Sequence, residues 1–251
     1  MDAWDELARL GEARGAELGI SGYLHPDDFL IQFFLDHFGR DGEGRKKAVD
    51  AYFETGAQSA ALLSQVIERS EAKLPGRSLL EFASGYGMVT RHLVKDNWAV
   101  TSCDIHQQAI DMLRDEIGVQ AVLSRREPEE LEIGRFDVVF ALSFFSHMPL
   151  RTWERWLLRL YRSVVPGGLL IFTTHGRASQ KAQLQMMLPV DGFAFMPQSE
   201  QKDLAPEDYG ATLTLPSFVA RAVERNLSTA ISYFKEAYWF GHQDVYVVKA
   251  G

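Results

Sequence analysis

The spacing of hydrophobic positions predicts two kinds of region along the chain. From Pro26 to Phe38, and again from about Lys46 to Glu71, apolar residues recur at helical intervals, and Pro75-Gly76 ends the second pattern. We expect Pro26 in the first turn of the first of these helices. From Ser78 onward, short continuous apolar runs alternate with helical segments, and such runs are typical of buried parallel strands. The pattern predicts helices first and an α/β fold after them.

Seven runs in the second region are strand candidates. They are SLLEF (78–82), WAVTSCD (98–104), VQAVL (119–123), FDVVFAL (136–142), LLIFTT (169–174), AISYF (230–234) and DVYVV (244–248). Because helical segments separate most of them, we expect a doubly wound, mostly parallel seven-stranded sheet that binds ligands at the carboxyl ends of its strands. The alternation lapses at about 176–215, which predicts an irregular insertion. We therefore expect a helical cap at 1–75 and the main domain at 76–251.

Composition narrows the classes of protein that the chain can belong to. Its 251 residues suffice for one well-cored domain with an appendage, and a net charge of −8 argues against nucleic acid or an anionic membrane as the main partner. No apolar stretch approaches the roughly 18–20 residues that cross a bilayer, and the charged N-terminus lacks a signal-peptide core. A single cysteine, Cys103, excludes an internal disulfide and a multi-cysteine metal site. We expect a cytoplasmic protein.

A glycine-containing turn follows the first strand candidate and precedes a helix. It reads Glu81-Phe-Ala83-Ser84-Gly85-Tyr86-Gly87. Glycine lets the backbone pass close to a ligand, and the N–H groups at the start of a helix suit a carboxylate or phosphate. A dinucleotide site requires G-x-G-x-x-G, and Thr90 occupies the position of the third glycine. The alternative is a plain strand-to-helix turn without a ligand.

The acid followed by small residues at every second position resembles the first motif of class I S-adenosylmethionine-dependent methyltransferases. The matching residues are Glu81, Ala83, Gly85 and Gly87, and Ala83 stands where the family has glycine. The segments FDVVFALSFFSHMP and VVPGGLLIFTT resemble the family's fourth and fifth strands, and the chain's end resembles its antiparallel seventh strand. The resemblance implies a Rossmann-like sheet with an antiparallel last strand and S-adenosylmethionine as cofactor.

The resemblance also implies which residues contact the cofactor. Asp104, at the end of the next strand, would accept the ribose hydroxyls, and its alternative role is the N-cap of the helix that begins at Gln107. Ser124 stands near the position where many relatives carry an acid that meets the adenine amino group. The implied cofactor-binding set is Tyr52, Gly56, Glu81, Ala83, Ser84, Gly85, Tyr86, Gly87, Asp104, Ile105, Ser124 and Leu142.

A narrower resemblance lies in the C-terminal part. The segments GFAFMPQSEQKDL, DYGATLTLPSFV and GHQDVYVV are similar to bacterial methyltransferases that occur with glycosyltransferases in surface-glycan pathways. This resemblance implies a sugar or glycan hydroxyl as the methyl acceptor.

Three histidines follow strand candidates at the expected ligand-binding edge. A hydroxyl acceptor benefits from a general base, so His147 and His242 are the candidate catalytic residues. His242 and Asp244 are two positions apart and can share one face as a His–Asp pair. His175, Glu200 and Tyr209 are the candidate acceptor contacts. Each histidine also has an ordinary alternative as a helix cap, loop residue or turn residue.

The function that these patterns favour is methyl transfer from S-adenosylmethionine to a small molecule or glycan, at a hydroxyl oxygen. A regulatory or scaffold protein that binds the cofactor without transferring a methyl group is the alternative. A dehydrogenase is disfavoured by Thr90 and Glu81. No short-range cluster of oxygen or nitrogen ligands suggests a divalent ion, so we expect no metal requirement.

Overall fold

The computed structural model describes residues 3–182, 186–187, 190–199, 201 and 203–251, and every structural statement below concerns these residues. The chain forms two compact units. The first contains Met1–Gln65 and Ser84–Ser124, and the second contains Val66–Ala83 and Arg125–Gly251.

The helices and strands have the following bounds. The helices are α1 (Ala3–Leu18), α2 (Phe29–Phe38), α3 (Gly42–Arg69), α4 (Thr90–Lys95), α5 (Gln107–Met112), α6 (Leu150–Tyr161), α7 (Arg177–Ala182) and α8 (Pro216–Leu227). The strands are β1 (Ser78–Phe82), β2 (Ala99–Asp104), β3 (Gln120–Leu123), β4 (Phe136–Ala141), β5 (Val164–His175), β6 (Phe193–Met196), β7 (Ala211–Thr214), β8 (Ile231–Trp239) and β9 (Gln243–Lys249). Within this described part of the chain, no helix is long and apolar enough to cross a membrane.

The predicted N-terminal helices are present, with one correction at the start of α2. Pro26 is not in its first turn, because the helix begins at Phe29 and Asp28 is its N-cap residue. The Asp28 Oδ1 atom accepts the Leu30 N–H at 2.9 Å, which satisfies one of the free donors of the first turn. The helix ends at Gly39, whose φ of 101° is accessible to glycine at little cost.

The second unit contains parallel strands with one antiparallel neighbour. Strand β4 pairs in parallel with β1 and β5, and β9 pairs antiparallel to β5 with Ile171 opposite Val247. Strand β8 pairs antiparallel to β9. Every residue of β4 is buried, as expected for a strand covered on both faces. In the first unit β2 and β3 are also parallel. The predicted α/β class with a mostly parallel sheet and an antiparallel last strand is confirmed.

The segment predicted as an irregular insertion contains two additional strands. Strands β6 and β7 pair antiparallel, with Phe195 opposite Thr212, and β7 pairs with the end of β5 where Leu213 lies opposite His175. The described residues therefore contain nine strands, two more than the seven candidates. Each added strand has four residues, which is too short for a period-two pattern to stand out in the sequence. The pairing of β7 with β5 places this part of the insertion beside the carboxyl end of β5.

Candidate active site

The turn after β1 has the backbone shape that its small residues suggest. Glu81 is buried at the end of β1, and the φ angles of Ala83, Gly85 and Gly87 are 57°, 54° and 75°. An ideal Cβ at Gly85 would meet nothing within 4 Å, whereas one at Gly87 would lie 2.3 Å from the Ile117 Cδ1 atom. Gly87 therefore permits close packing, and Gly85 leaves open space beside the backbone where a ligand can approach.

The side chain of Asp104, at the end of β2, forms hydrogen bonds that hold this turn. Its Oδ2 atom accepts the Gly85 N–H at 2.8 Å. Its Oδ1 atom accepts the His106 backbone N–H at 3.0 Å and lies 2.9 Å from His106 Nδ1. The backbone adds two bonds, from the N–H of Ser84 to the carbonyl of Cys103 and from the N–H of Ser124 to the carbonyl of Asp104. The carboxylate and the glycine turn are thus held together before any ligand binds.

Two expectations about Asp104 and its neighbours have definite outcomes. Asp104 is not the N-cap of α5, because the cap residue is His106 and the Asp104 carboxylate bonds instead to the turn and to His106. Ile105, the expected adenine contact, is half-buried, and Ser124 is buried. In the second unit, Leu142 is half-buried directly after β4.

Tyr52 and Gly56, on α3, make packing contacts within the first unit. The Tyr52 ring is fully buried, and its hydroxyl donates to Asp28 Oδ2 at 2.7 Å. An added Cβ at Gly56 would lie 2.2 Å from the Met88 carbonyl oxygen, so glycine lets α3 approach the chain there. Their contact with the cofactor stays a prediction.

In the second unit, the surroundings of His147 fix its protonation state. Its Nδ1 atom lies 2.8 Å from the carbonyl oxygen of Gly210. A carbonyl only accepts, so Nδ1 carries the proton and the lone pair is on Nε2. The ring stacks on Tyr209, with 4.4 Å between centroids and 8° between planes. Burial lowers the pKa of His147 to about 4, so the imidazole is neutral near pH 7.

The three candidate histidines form a row in this unit. The ring centroids of His147 and His175 are 6.1 Å apart, and those of His175 and His242 are 5.9 Å apart. His175 is 8% exposed, and its buried Nδ1 atom has no hydrogen-bond partner among the described residues. Burial, and then the repulsion that a protonated His175 would meet from protonated His147 and His242, lower the pKa of His175 to about 3. The row therefore presents neutral imidazoles at the ends of β4, β5 and the turn before β9.

The expected pairing of His242 with Asp244 is replaced by two other contacts. The Ser179 hydroxyl donates to the His242 carbonyl at 2.7 Å and lies 3.3 Å from His242 Nδ1. The single proton of the Ser179 hydroxyl is used in the bond to the carbonyl, so His242 Nδ1 is the donor in its bond to the Ser179 oxygen. Asp244 Oδ1 accepts the N–H of Ala237 at 2.9 Å. Burial raises the pKa of Asp244 to about 6 and lowers the pKa of His242.

The insertion contacts the loop that carries His147. The N–H groups of Gly210 and Thr212 donate to the carbonyls of His147 and Ser146, at 2.9 and 2.7 Å. The Thr212 hydroxyl donates to the carbonyl of Met148 at 2.6 Å. The expected contacts His175 and Tyr209 thus lie beside His147, whereas Glu200 lies outside the described residues.

A hydrogen-bonded group that the sequence reasoning missed lies at the same strand ends. The Thr173 hydroxyl donates to Gln243 Oε1 at 2.6 Å and accepts the Ser143 N–H at 2.8 Å. Gln243 Nε2 donates to the Ser143 hydroxyl at 2.6 Å. The available signal was a polar residue at or near one end of each of three strands: Ser143 follows β4, Thr173 lies near the end of β5, and Gln243 begins β9. Among the described residues, no group of three metal-ligating side chains is placed to hold an ion.

Comparisons with known proteins agree with this architecture. The family profile described as a methyltransferase domain matches residues 80–170. The ubiquinone biosynthesis O-methyltransferase of Coxiella burnetii (strain RSA 493 / Nine Mile phase I) is 26% identical over 109 residues, which cover 41% of this chain and 46% of that protein. The chain therefore matches less than half the length of this curated relative.

Solved structures share the fold at low sequence identity. The glycopeptide N-methyltransferase MtfA complexed with S-adenosyl-L-methionine has a TM-score of 0.57 and 14% identity, over 78% of this chain and 88% of that chain. The CcbJ methyltransferase from Streptomyces caelestis has a TM-score of 0.55 and 16% identity, over 78% and 90%. Residues 80–170 thus match the methyltransferase domain profile, and the chain has the fold of the class I S-adenosylmethionine-dependent methyltransferases.

Proposed function

We propose that this protein transfers a methyl group from S-adenosylmethionine to a hydroxyl oxygen of a small molecule or glycan. The observation that carries the proposal is the bond between the Gly85 N–H and Asp104 Oδ2, which holds a carboxylate against an open glycine turn. Both residues lie within the segment that matches the methyltransferase domain family. The agreement of local geometry with family membership favours this cofactor over a dinucleotide.

The residues present fit the cofactor. Asp104 would accept hydrogen bonds from the ribose hydroxyls, since a carboxylate offers about four lone-pair sites. The empty space beside Gly85 admits the ligand, and Glu81 at the end of β1 would accept bonds from an ammonium group. Ile105 and Ser124 would meet the adenine end, and Leu142 is a further proposed cofactor contact. The bound cofactor supplies a methyl group that is already activated by its sulfonium charge.

His147 is the proposed general base. Its Nε2 lone pair would accept the hydroxyl proton while the acceptor oxygen forms its bond to the methyl carbon and the carbon–sulfur bond breaks. The Nδ1 bond to Gly210 and the stacking on Tyr209 hold the ring in one orientation. His242 is the second candidate for this role, with its Nδ1 donating to Ser179.

The proposed acceptor contacts are His175, Tyr209 and Glu200, with the segment 176–215 as the wall of the site. The unpartnered Nδ1 of His175 would gain a hydrogen bond from an acceptor hydroxyl, since a buried polar atom without a partner is unfavourable. The Coxiella burnetii relative is an O-methyltransferase, which supports an oxygen acceptor, and MtfA is a glycopeptide N-methyltransferase, which supports a glycosylated acceptor. We further propose a cytoplasmic location and no nucleic-acid partner, which the single cysteine and the net charge of −8 support.

Calorimetry and an acceptor screen test the proposal. The unmutated protein should bind S-adenosylhomocysteine and should show no binding of NAD at the same concentration. Radiolabelled S-adenosylmethionine should then label at least one compound in a panel of phenols, sugars and glycans. Binding of NAD in place of S-adenosylhomocysteine would overturn the proposal. Binding of S-adenosylhomocysteine without transfer to any hydroxyl or amine in the panel would instead support the regulatory or scaffold alternative.

A further inference from the structure

Arg91, on α4 in the first unit, is a buried cation that bonds to four backbone carbonyls. It is 2% exposed. Its Nε atom donates to the Gly87 carbonyl at 3.0 Å, and Nη2 donates to the Tyr86 carbonyl at 3.3 Å. Its Nη1 atom donates to the carbonyls of Ser21 and Tyr23, at 2.9 and 3.1 Å. One guanidinium therefore joins the glycine turn to the segment that connects α1 and α2.

The surroundings hold this cation in a single position. The guanidinium carbon lies 5.4 Å from the centroid of Tyr52 and 5.2 Å from that of Phe53, within the range of cation–π attraction. The Tyr52 hydroxyl bonds to Asp28, which caps α2 at the end of the same connecting segment. Burying a charge is costly unless its partners are well arranged, so this arrangement restricts the geometry of both joined parts.

A second set of contacts places the connecting segment against the turn. The ring of His25 stacks on Tyr86, with 4.7 Å between centroids and 20° between planes. The Lys95 ammonium group, also on α4, donates to the Leu18 carbonyl at 2.7 Å. Both ends of the segment from Leu18 to His25 are thereby attached to residues of the turn or of the helix that follows it.

These contacts bear on ligand binding because a peptide unit is planar. Fixing the carbonyls of Tyr86 and Gly87 also fixes the N–H groups of Gly87 and Met88, which share those planes. The Gly87 N–H accordingly donates to the Ser84 carbonyl at 3.2 Å, which closes the turn. Arg91 thus restricts the backbone conformation of the turn that lies beside the open space at Gly85.

We propose that Arg91 is a positioning residue for the cofactor, and that the segment Ser21–His25 forms part of the cofactor site by packing on Tyr86. The inference rests on the proposed function. It assigns Arg91 and this segment to the amino-acid end of the cofactor, because the turn directly follows Glu81, the proposed acceptor of the ammonium group, in the chain.

Calorimetry with two ligands tests the role of Arg91. S-Adenosylhomocysteine carries the amino-acid end, and 5′-methylthioadenosine lacks it. Arg91→Met should weaken binding of S-adenosylhomocysteine at least about tenfold and that of 5′-methylthioadenosine by no more than about threefold. The reason is that the variant loses the charged hydrogen bonds to the turn, and only the ligand with an amino-acid end would contact the turn. Arg91→Lys keeps the charge without the forked geometry and should give an intermediate loss. Arg114→Met is the matched control, because Arg114 donates to the Ala121 carbonyl away from the turn.

His25 provides a second, less disruptive test. His25→Ala removes the stacking on Tyr86 and should weaken S-adenosylhomocysteine by about threefold to tenfold, and His25→Phe should restore the affinity. If the melting curve shows that Arg91→Met does not fold, the affinities of Arg91→Lys and His25→Ala test the proposal instead. Equal weakening of both ligands, or unchanged binding in folded Arg91 and His25 variants, overturns this inference alone. Failure of the unmutated protein to bind S-adenosylhomocysteine overturns the proposed function as well.

Discussion

The glycine turn and the histidine row differ in how their polar groups are satisfied. In the turn, backbone groups dominate, and Asp104 and Arg91 already bond to them. In the row, the groups that could act chemically are imidazole side chains, and among the described residues the buried Nδ1 atom of His175 has no hydrogen-bond partner. The polar groups of the turn are therefore already engaged, whereas His175 keeps an open hydrogen-bonding position. The comparison suggests variants of two kinds, which test main-chain geometry at the turn and imidazole chemistry at the row.

The largest expected effect is on catalysis, at the histidine row. His147→Ala should lower turnover by about 10²–10⁴-fold, because a positioned base typically contributes that much. Affinity for S-adenosylhomocysteine should stay within about twofold, which corresponds to well under 1 kcal/mol. Because burial lowers the pKa of His147 to about 4, turnover in the unmutated protein should decline only as the pH falls toward 4.

His242→Ala is the comparison variant for this prediction. It should leave turnover nearly unchanged if His147 is the base. A large loss in His242→Ala with an active His147→Ala would transfer the role to His242, and full activity in both variants would exclude both imidazoles as the base.

The next effect is on cofactor binding, at the glycine turn. Asp104→Ala should weaken S-adenosylhomocysteine by roughly tenfold or more, since each charge-assisted hydrogen bond is worth about 1.5–3 kcal/mol. Asp104→Asn keeps one acceptor oxygen and should lose less affinity. Asp111→Ala is the matched control, because this exposed carboxylate accepts from Gln107 on α5. Calorimetry measures all three, and an unchanged affinity in Asp104→Ala would place the ribose elsewhere.

A smaller effect concerns stability in acid. Unfolded histidine titrates near pH 6.5, and burial lowers the pKa of His147 to about 4. Between these values the unfolded chain binds a proton that the folded chain excludes, so stability is lost as the pH falls. His147→Gln should therefore reduce the loss of unfolding free energy between pH 7.5 and pH 5 by about 1–2 kcal/mol in urea titrations.

His37→Gln, at an exposed position, is the control for this measurement and should leave the difference unchanged. Asp244 acts in the opposite direction, because burial raises its pKa to about 6 and its folded form gains stability as the pH falls below that value. The prediction would be contradicted if the unfolding free energy of His147→Gln fell between pH 7.5 and pH 5 by as much as that of the unmutated protein.

The smallest effect is at Ala83, where the turn departs from the family motif. Its φ of 57° is a left-handed conformation that costs a residue with a Cβ about 1–2 kcal/mol. Ala83→Gly removes that strain but increases the freedom of the unfolded chain, so the net gain should be at most about 1 kcal/mol. Thermal unfolding measures it. Asn97→Gly is the comparison variant, because Asn97 has a φ of 62° and asparagine tolerates this region better. A lower melting temperature in Ala83→Gly than in the unmutated protein would contradict the assignment of strain.

The sequence by itself determined the class of fold and identified the residues of the two candidate sites. Continuous apolar runs predicted the parallel strands, and the short motif from Glu81 to Gly87 predicted the turn, because these signals are local and need no distant partner. The same logic put His147, His175 and His242 after strands. Only the tertiary structure decided which groups pair. The Gly210 carbonyl determines the tautomer of His147. The Asp244 carboxylate accepts the N–H of Ala237 and is not paired with His242 as expected. Arg91 connects the turn to the carbonyls of Ser21 and Tyr23. In each case the outcome depends on a contact between side chain and backbone, and on burial, which residue spacing does not encode.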